Sequence, residues 1–228
     1  MDKERLKQIA AERAVEEIQS GAVVGLGTGS TVYYVLRALG EKVRDGLKIT
    51  GIATSKQTEI ISAEQGIPLS TLAEHPVIDV TIDGADEIDP SLNLIKGGGG
   101  ALVREKIIAH ASKRLVIVAD ASKSVAVLGT TFALPVEVLQ FGWEATQAAI
   151  NIICGKSTMR YNGENPYLSD NGNYILDCRF NAIRQPAQIE LQLNNLPGVV
   201  ENGLFVNRAD KAIIGTTSGI EIREKMRC

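Results

Sequence analysis

Apolar positions recur every three to four residues across 3–19, where Leu6, Ile9, Ala10, Ala14 and Ile18 share one face, so this stretch is expected to be an amphipathic helix. A short apolar run at 22–26 follows. It ends in glycines and hydroxyls at 27–31, before a second helical stretch to about residue 44. The alternation continues with a strand at 48–53, a helix from 54 to near 66, a strand at 77–82, a short strand at 92–95 and a helix at 101–112. Residues 115–119 are apolar throughout, as suits a strand covered on both faces. Strands alternating with helices predict an α/β domain, a Rossmann-like parallel sheet with helices on both faces.

Past about residue 130 the pattern changes. Strand-like segments at 133–139, 157–161, 174–180 and 199–205 are interleaved with helical segments at 143–154 and 186–195, and 170–173 reads as a turn. The order β-α-β-β-α-β is the split βαβ arrangement, so a second, smaller ferredoxin-like α+β domain is expected. Short strands at 212–215 and 220–222 are expected to return to the first sheet. The predicted organisation is therefore 1–130 plus 206–228 for the parallel-sheet domain and 131–205 for the smaller one.

Parallel strands place the loops that follow them along one edge, where ligands bind. Four unusual segments fall there: 27–31, 54–58, 83–87 and 120–123. The net charge of −3 over 228 residues supplies no positive field for nucleic acid or an anionic membrane, so an anionic substrate must be held by local groups. No apolar run approaches the roughly 18–20 residues that span a bilayer, and the charged N-terminus lacks the apolar core of a signal peptide; removal of a transit peptide stays open. Cys154, Cys178 and Cys228 are odd in number and show no metal-ligand spacing, which predicts reduced thiols in a cytoplasmic protein.

The segment Gly25-Leu26-Gly27-Thr28-Gly29-Ser30-Thr31 carries Ser30 where the dinucleotide pattern needs its third glycine, and it lacks the P-loop Gly-Lys ending. Two readings remain: a glycine turn presenting Thr28, Gly29, Ser30 and Thr31 to an anion at a helix N-terminus, or a tight capped turn. The 54–58 segment reads as a capped surface helix. Asp83, Asp86, Glu87 and Asp89 form an acidic cluster whose spacing matches no EF-hand, and no nearby His supports a transition metal, so no metal is expected. Because Asp83 directly follows an apolar strand it belongs at the sheet edge, where it can act as a general acid or base, with Asp86 able to bind substrate hydroxyls.

Four consecutive glycines, Gly97 to Gly100, are entropically costly and make sense where backbone N–H groups must approach a ligand closely. Lys96, just before them, is a candidate to neutralise an oxyanion. Glu105 stands just over one turn into the next helix. It reads either as a base kept charged near a helix N-terminus or as a surface residue between Arg104 and Lys106. Lys123 is a candidate phosphate or hydroxyl ligand, and His75 and His110 read as structural.

Taken together, Gly27-Thr28-Gly29-Ser30-Thr31, Asp83-Gly84-Ala85-Asp86-Glu87, Lys96-Gly97-Gly98-Gly99, Arg104-Glu105-Lys106 and Ala119-Asp120-Ala121-Ser122-Lys123 resemble the type A family of ribose-5-phosphate isomerases. Leu134-Pro135-Val136-Glu137-Val138, Asp170-Asn171-Gly172-Asn173 and Leu196-Pro197-Gly198-Val199-Val200 extend the likeness over nearly the whole chain. The resemblance implies cofactor-free interconversion of ribose 5-phosphate and ribulose 5-phosphate in the pentose phosphate pathway, by an oligomeric enzyme, a dimer or tetramer. It implies that Glu105 moves a proton between C1 and C2 through an enediolate and that Asp83 assists ring opening. It further implies that Lys96 and the amides of Gly97, Gly98 and Gly99 stabilise the oxyanion, while the 28–31 loop and Lys123 hold the substrate, with Lys7 a further candidate at the phosphate. Two other classes stay open on the residues alone. One is a sugar-phosphate sensor, which would carry a helix-turn-helix before the first strand; the other is an acyl-CoA transferase, which would need a CoA pocket.

Overall fold

A computed structural model describes residues 2–225; Met1 and 226–228 lie outside them, and with them the expectation for Cys228. Helix α1 (Lys3–Val15) opens on Asp2, whose carboxylate accepts the Arg5 amide, and turns Leu6, Ala10, Ala11, Ala14 and Val15 inward. It is followed by β1 (Val23–Leu26), α2 (Ser30–Arg44), β2 (Thr50–Ala53), α3 (Lys56–Glu64) and β3 (Val80–Gly84). Two short strands, β4 (Glu87–Ile88) and β5 (Leu94–Ile95), precede α4 (Leu102–Ala111), β6 (Leu115–Asp120) and a single 3-10 turn at Ala121–Lys123. The remainder comprises β7 (Leu134–Val138), α5 (Trp143–Cys154), β8 (Lys156–Met159), β9 (Tyr161–Asn162), β10 (Asn165–Pro166) and β11 (Tyr174–Arg179). The last elements are α6 (Pro186–Asn194), β12 (Val199–Asn202), β13 (Leu204–Phe205), β14 (Lys211–Thr216) and β15 (Gly219–Glu224).

Two compact units result: Met1–Ala85, Arg104–Ser124 and Arg208–Cys228 form the first, and Asp86–Val103 with Val125–Asn207 the second. The first holds a six-stranded sheet in the order β15-β14-β6-β3-β1-β2, parallel except for β15. Every residue of β6 is buried, as its unbroken apolar run requires. Gly215 of β14 lets α1 lie close to the sheet: a Cβ there would stand 2.0 Å from the Leu6 carbonyl oxygen. On α2 the buried Val32, Val35, Leu36 and Leu39 recur at helical spacing, and they join Val24, Leu26, Ile82, Val116, Val118 and Ile213 in the main core.

In the second unit β7, β8, β11 and β12 form an antiparallel sheet in the order β12-β7-β11-β8, which with α5 and α6 is the ferredoxin-like arrangement. A second small sheet, β13-β5-β4, explains where the unit boundaries differ from the sequence expectation. Leu204 and Phe205 pair with Ile95 and Leu94, so 86–103 group with 125–207 and not with the parallel sheet. Glu87 strengthens that grouping by accepting the amides of Gly129, Thr131 and Phe132.

Candidate active site

In the first unit the functional candidates gather after the ends of β1, β2, β3 and β6, the edge at which open parallel sheets bind ligands. Asp83 lies one residue before the end of β3 and is 1% exposed. Its Oδ1 accepts the amides of Thr28 (3.1 Å) and Gly84 (2.7 Å), so the loop after β1 is tied to the end of β3. Gly27 allows this approach, because a Cβ there would stand 2.1 Å from Asp83 Oδ1 and 2.6 Å from its Cα. At Gly29 the chain adopts φ 117° to enter α2, a conformation glycine tolerates readily; Gly29 and Ser30 are exposed and Thr31 is buried.

The 54–58 segment is more than the capped surface helix expected of it. Ser55 does cap α3, accepting the Thr58 amide at 3.1 Å. However, Thr54, Ser55 and Thr58 are all buried, and their hydroxyls lie 2.7, 2.8 and 3.0 Å from Thr28 Oγ1. Thr58 also donates to the Gly27 carbonyl (2.7 Å) and Thr54 to that of Leu26 (3.0 Å). Four hydroxyls thus fix the loop that presents Thr28. The available signal was three hydroxyl residues, Thr54, Ser55 and Thr58, just past a strand end; the pairing of β1 with β2 sets them beside the 27–28 loop.

Glu105 sits in the first turn of α4 and is 4% exposed, which excludes the surface reading left open by its charged neighbours. Lys106 is buried as well. Lys123 ends the 3-10 turn, half-buried, where Asp120 accepts the Ser122 amide at 3.0 Å. On α1, Lys7 is largely buried and its Nζ donates to Glu4 at 2.7 Å. Ala85 is half-buried just past β3.

The second unit holds the other candidates. Lys96 follows β5, is 2% exposed and places its Nζ 5.3 Å from the centre of the Phe205 ring, a geometry that attracts a cation. Asp86 accepts the Gly98 amide at 2.8 Å. Gly97 and Gly100 have φ values of 100° and 80°, and a Cβ on Gly98 or Gly100 would stand 2.7 Å from Asp86 Oδ1 or 2.3 Å from the Tyr167 hydroxyl. Gly97 and Gly100 are therefore favoured by conformation, and Gly98 and Gly100 by close approach.

The acidic cluster divides in its roles. Glu87 is fully buried and serves three backbone amides and the Thr131 hydroxyl, while Asp89 closes its own turn through Ser91 and Asn93. Among the described residues, no group of three or more His, Cys, Asp or Glu is arranged to hold a metal ion, and no helix is long and apolar enough to cross a membrane.

Comparison with known proteins is consistent with this geometry. Residues 50–219 match the family described as ribose 5-phosphate isomerase A (phosphoriboisomerase A). A Gloeobacter violaceus protein named ribose-5-phosphate isomerase A is 50% identical over 223 residues, covering 97% of this chain and 97% of that protein. A Ruegeria protein of the same name is 50% identical over 230 residues, covering 97% of this chain and 87% of its own length. The solved ribose 5-phosphate isomerase of Plasmodium falciparum superposes with a TM-score of 0.95 at 42% identity, over 98% of this chain and 100% of that one. A D-ribose-5-phosphate isomerase solved in complex with phospho-erythronic acid gives a TM-score of 0.95 at 41% identity, over 98% and 100% of the two chains.

Proposed function

The chain belongs to the ribose 5-phosphate isomerase A family, and from that membership we propose how its residues divide the work. It interconverts ribose 5-phosphate and ribulose 5-phosphate. In the proposed mechanism, the Glu105 carboxylate removes the C2 proton of the open-chain aldose. The C2 electron pair forms the C1–C2 double bond and charge moves onto O1, giving an enediolate. Glu105, now protonated and exchanging its proton with solvent, delivers a proton to C1 while the C2 oxygen becomes the carbonyl and its hydroxyl proton passes to O1. Lys96 and the amides of Gly97 and Gly99 oppose the charge that develops on oxygen, where preorganised donors act most strongly; the Gly98 amide, expected among them from the sequence, is instead held by Asp86. Asp83 serves ring opening by moving the anomeric hydroxyl proton, and Asp86, Gly84 and Ala85 lie along the sugar. Thr28, Gly29, Ser30, Thr31 and Lys123 hold the hydroxyl and phosphate ends.

The observation that carries this reading is the burial of the Glu105 carboxylate in the first turn of α4, where an ordinary helix-surface glutamate would face solvent. Glu105→Gln should lower kcat by at least about a hundredfold, as expected for loss of a general base, while phospho-erythronic acid still binds with near-parent affinity. Turnover close to the parent's would remove Glu105 from the role.

We also propose that the enzyme is a cytoplasmic homo-oligomer, a dimer or tetramer. Exposed apolar side chains on α5 and α6 of the second unit, Ile152 and Leu191, support an oligomeric contact there, as does Phe141 in the loop before α5. Light scattering that returned a monomer at micromolar concentration would contradict it.

A further inference from the structure

Three consecutive carbonyl oxygens of the glycine loop are tied by two side chains of the second unit. Arg160, just past β8, fixes its guanidinium as a fork on Asp177 of β11: Nε donates to Oδ2 at 2.9 Å and Nη2 to Oδ1 at 2.5 Å. Its backbone is pinned too, with the amide donating to the Ile175 carbonyl at 2.8 Å. The remaining nitrogen, Nη1, donates to the carbonyls of Gly97 (3.0 Å) and Gly98 (3.1 Å). The Tyr167 hydroxyl donates to that of Gly99 at 3.1 Å. Tyr167 in turn lies with its ring centre 5.9 Å from the Arg160 guanidinium, and its amide donates to the Arg160 carbonyl at 2.8 Å. Burial raises the Tyr167 pKa above that of an ordinary phenol, which keeps the hydroxyl a donor.

A planar trans peptide points its C=O and the following N–H in opposite directions. Holding the carbonyls of Gly97, Gly98 and Gly99 therefore aims the amides of Gly98, Gly99 and Gly100 the other way. The Gly98 amide is taken by Asp86 and that of Gly100 by the Gly97 carbonyl. Among the described residues, the Gly99 amide has no acceptor within the chain. Four glycines in a row would otherwise sample many orientations, since each lacks the Cβ that restricts φ and ψ.

We infer that Arg160, braced by Asp177 and assisted by Tyr167, is a positioning residue that holds the glycine loop so that the Gly99 amide is presented to the reacting oxygen. The inference rests on the reading above in which the glycine amides stabilise the enediolate. Arg160 touches only the far side of the loop, so its effect belongs to kcat and not to ground-state binding.

The test compares Arg160→Ala, Tyr167→Phe and Lys96→Ala in the full-length enzyme, each with kcat, KM and thermal melting. Arg160→Ala should lower kcat by about a hundredfold, the loss seen when one oxyanion donor is misplaced, with KM changed less than about threefold. Added guanidinium ion at tens of millimolar should recover part of that loss, which repair of a purely structural defect would not do. Tyr167→Phe removes one hydroxyl, keeps Arg160, and should lower kcat about fivefold if one tethered carbonyl in three is released; it carries the test should Arg160→Ala fail to fold. Parent-like kcat in the folded Arg160 variant, or in Tyr167→Phe where that variant does not fold, overturns the inference, as does a rise confined to KM. If Lys96→Ala loses kcat in that experiment, only the clamp is overturned; if Lys96→Ala also keeps it, the oxyanion reading beneath falls as well.

Discussion

Replacing Gly27 by alanine tests how closely the loop after β1 is fitted to Asp83. The added Cβ would meet Asp83 Oδ1 at 2.1 Å, Cγ at 2.4 Å and Cα at 2.6 Å, whereas ordinary contact begins at 3.4 Å. One of the three atoms is backbone, so a side-chain rotation cannot relieve the clash, and the loop and the end of β3 must separate by roughly 1 Å. Displacements of about 1 Å around a reacting group typically lower rate about a hundredfold, or about 2.7 kcal/mol in transition-state stabilisation. Overpacking of this kind also destabilises the fold by about 1–3 kcal/mol. The bond from the Thr28 amide to Asp83 should weaken as that gap opens, while the Thr58 bond to the Gly27 carbonyl, on the β2 side of the same loop, does not cross it. Steady-state isomerisation, with ribulose 5-phosphate formation followed by absorbance, gives kcat/KM, and thermal melting gives the stability change. Gly27→Ala enzyme with kcat/KM within threefold of the parent's and an unchanged melting temperature would refute the argument from close approach.

Lys96→Ala should reduce kcat by about a hundredfold and substrate affinity much less, if the ammonium acts on the developing oxyanion; an effect confined to affinity would reassign Lys96 to ground-state binding. Glu17→Gln tests acid stability. Burial opposes the charge on Glu17, but hydrogen bonds from Arg114 (2.7 Å) and Lys211 (3.0 Å) outweigh it and hold its carboxyl below the ordinary value of 4.5. The unfolded chain then binds the proton more readily than the native one, so this stabilisation is present above pH 4.5 and is lost as pH falls below it. Urea unfolding of Glu17→Gln should show lower stability near neutral pH and a shallower fall on acidification; an identical fall in both proteins would assign the acid sensitivity elsewhere.

Much of this architecture was legible because period and length agreed. The apolar run at 115–119 became the fully buried β6, and the β-α-β-β-α-β order after residue 130 became the four-stranded antiparallel sheet. Strand ends were less legible: the 77–82 expectation became Val80–Gly84, so Asp83 lies within β3 and not after it. The pairing of β13 with β5 was invisible, because two-residue strands carry no periodicity and their partners lie more than a hundred residues apart in sequence. That pairing moved the glycine loop into the second unit. Asp83, Lys96 and Glu105 were named as candidates through motif and resemblance, while Thr54, Ser55 and Thr58 were undervalued because hydroxyl residues at a helix start serve equally well as ordinary caps. Arg160 carried no local signal at all. Its role depends on Asp177 across the β8–β11 pairing and on carbonyls more than sixty residues away.

Proton transfer by Glu105 through an enediolate is tested most directly by running the isomerisation in deuterium oxide with a chelator present and locating the label by NMR. The parent enzyme should place deuterium at C1 of ribulose 5-phosphate and, on return, at C2 of ribose 5-phosphate, while Glu105→Gln should leave both carbons unlabelled over the same period. Full conversion by the parent with no deuterium at either carbon would point to direct hydride transfer, and labelling by Glu105→Gln at the parent's rate would assign the base to another residue.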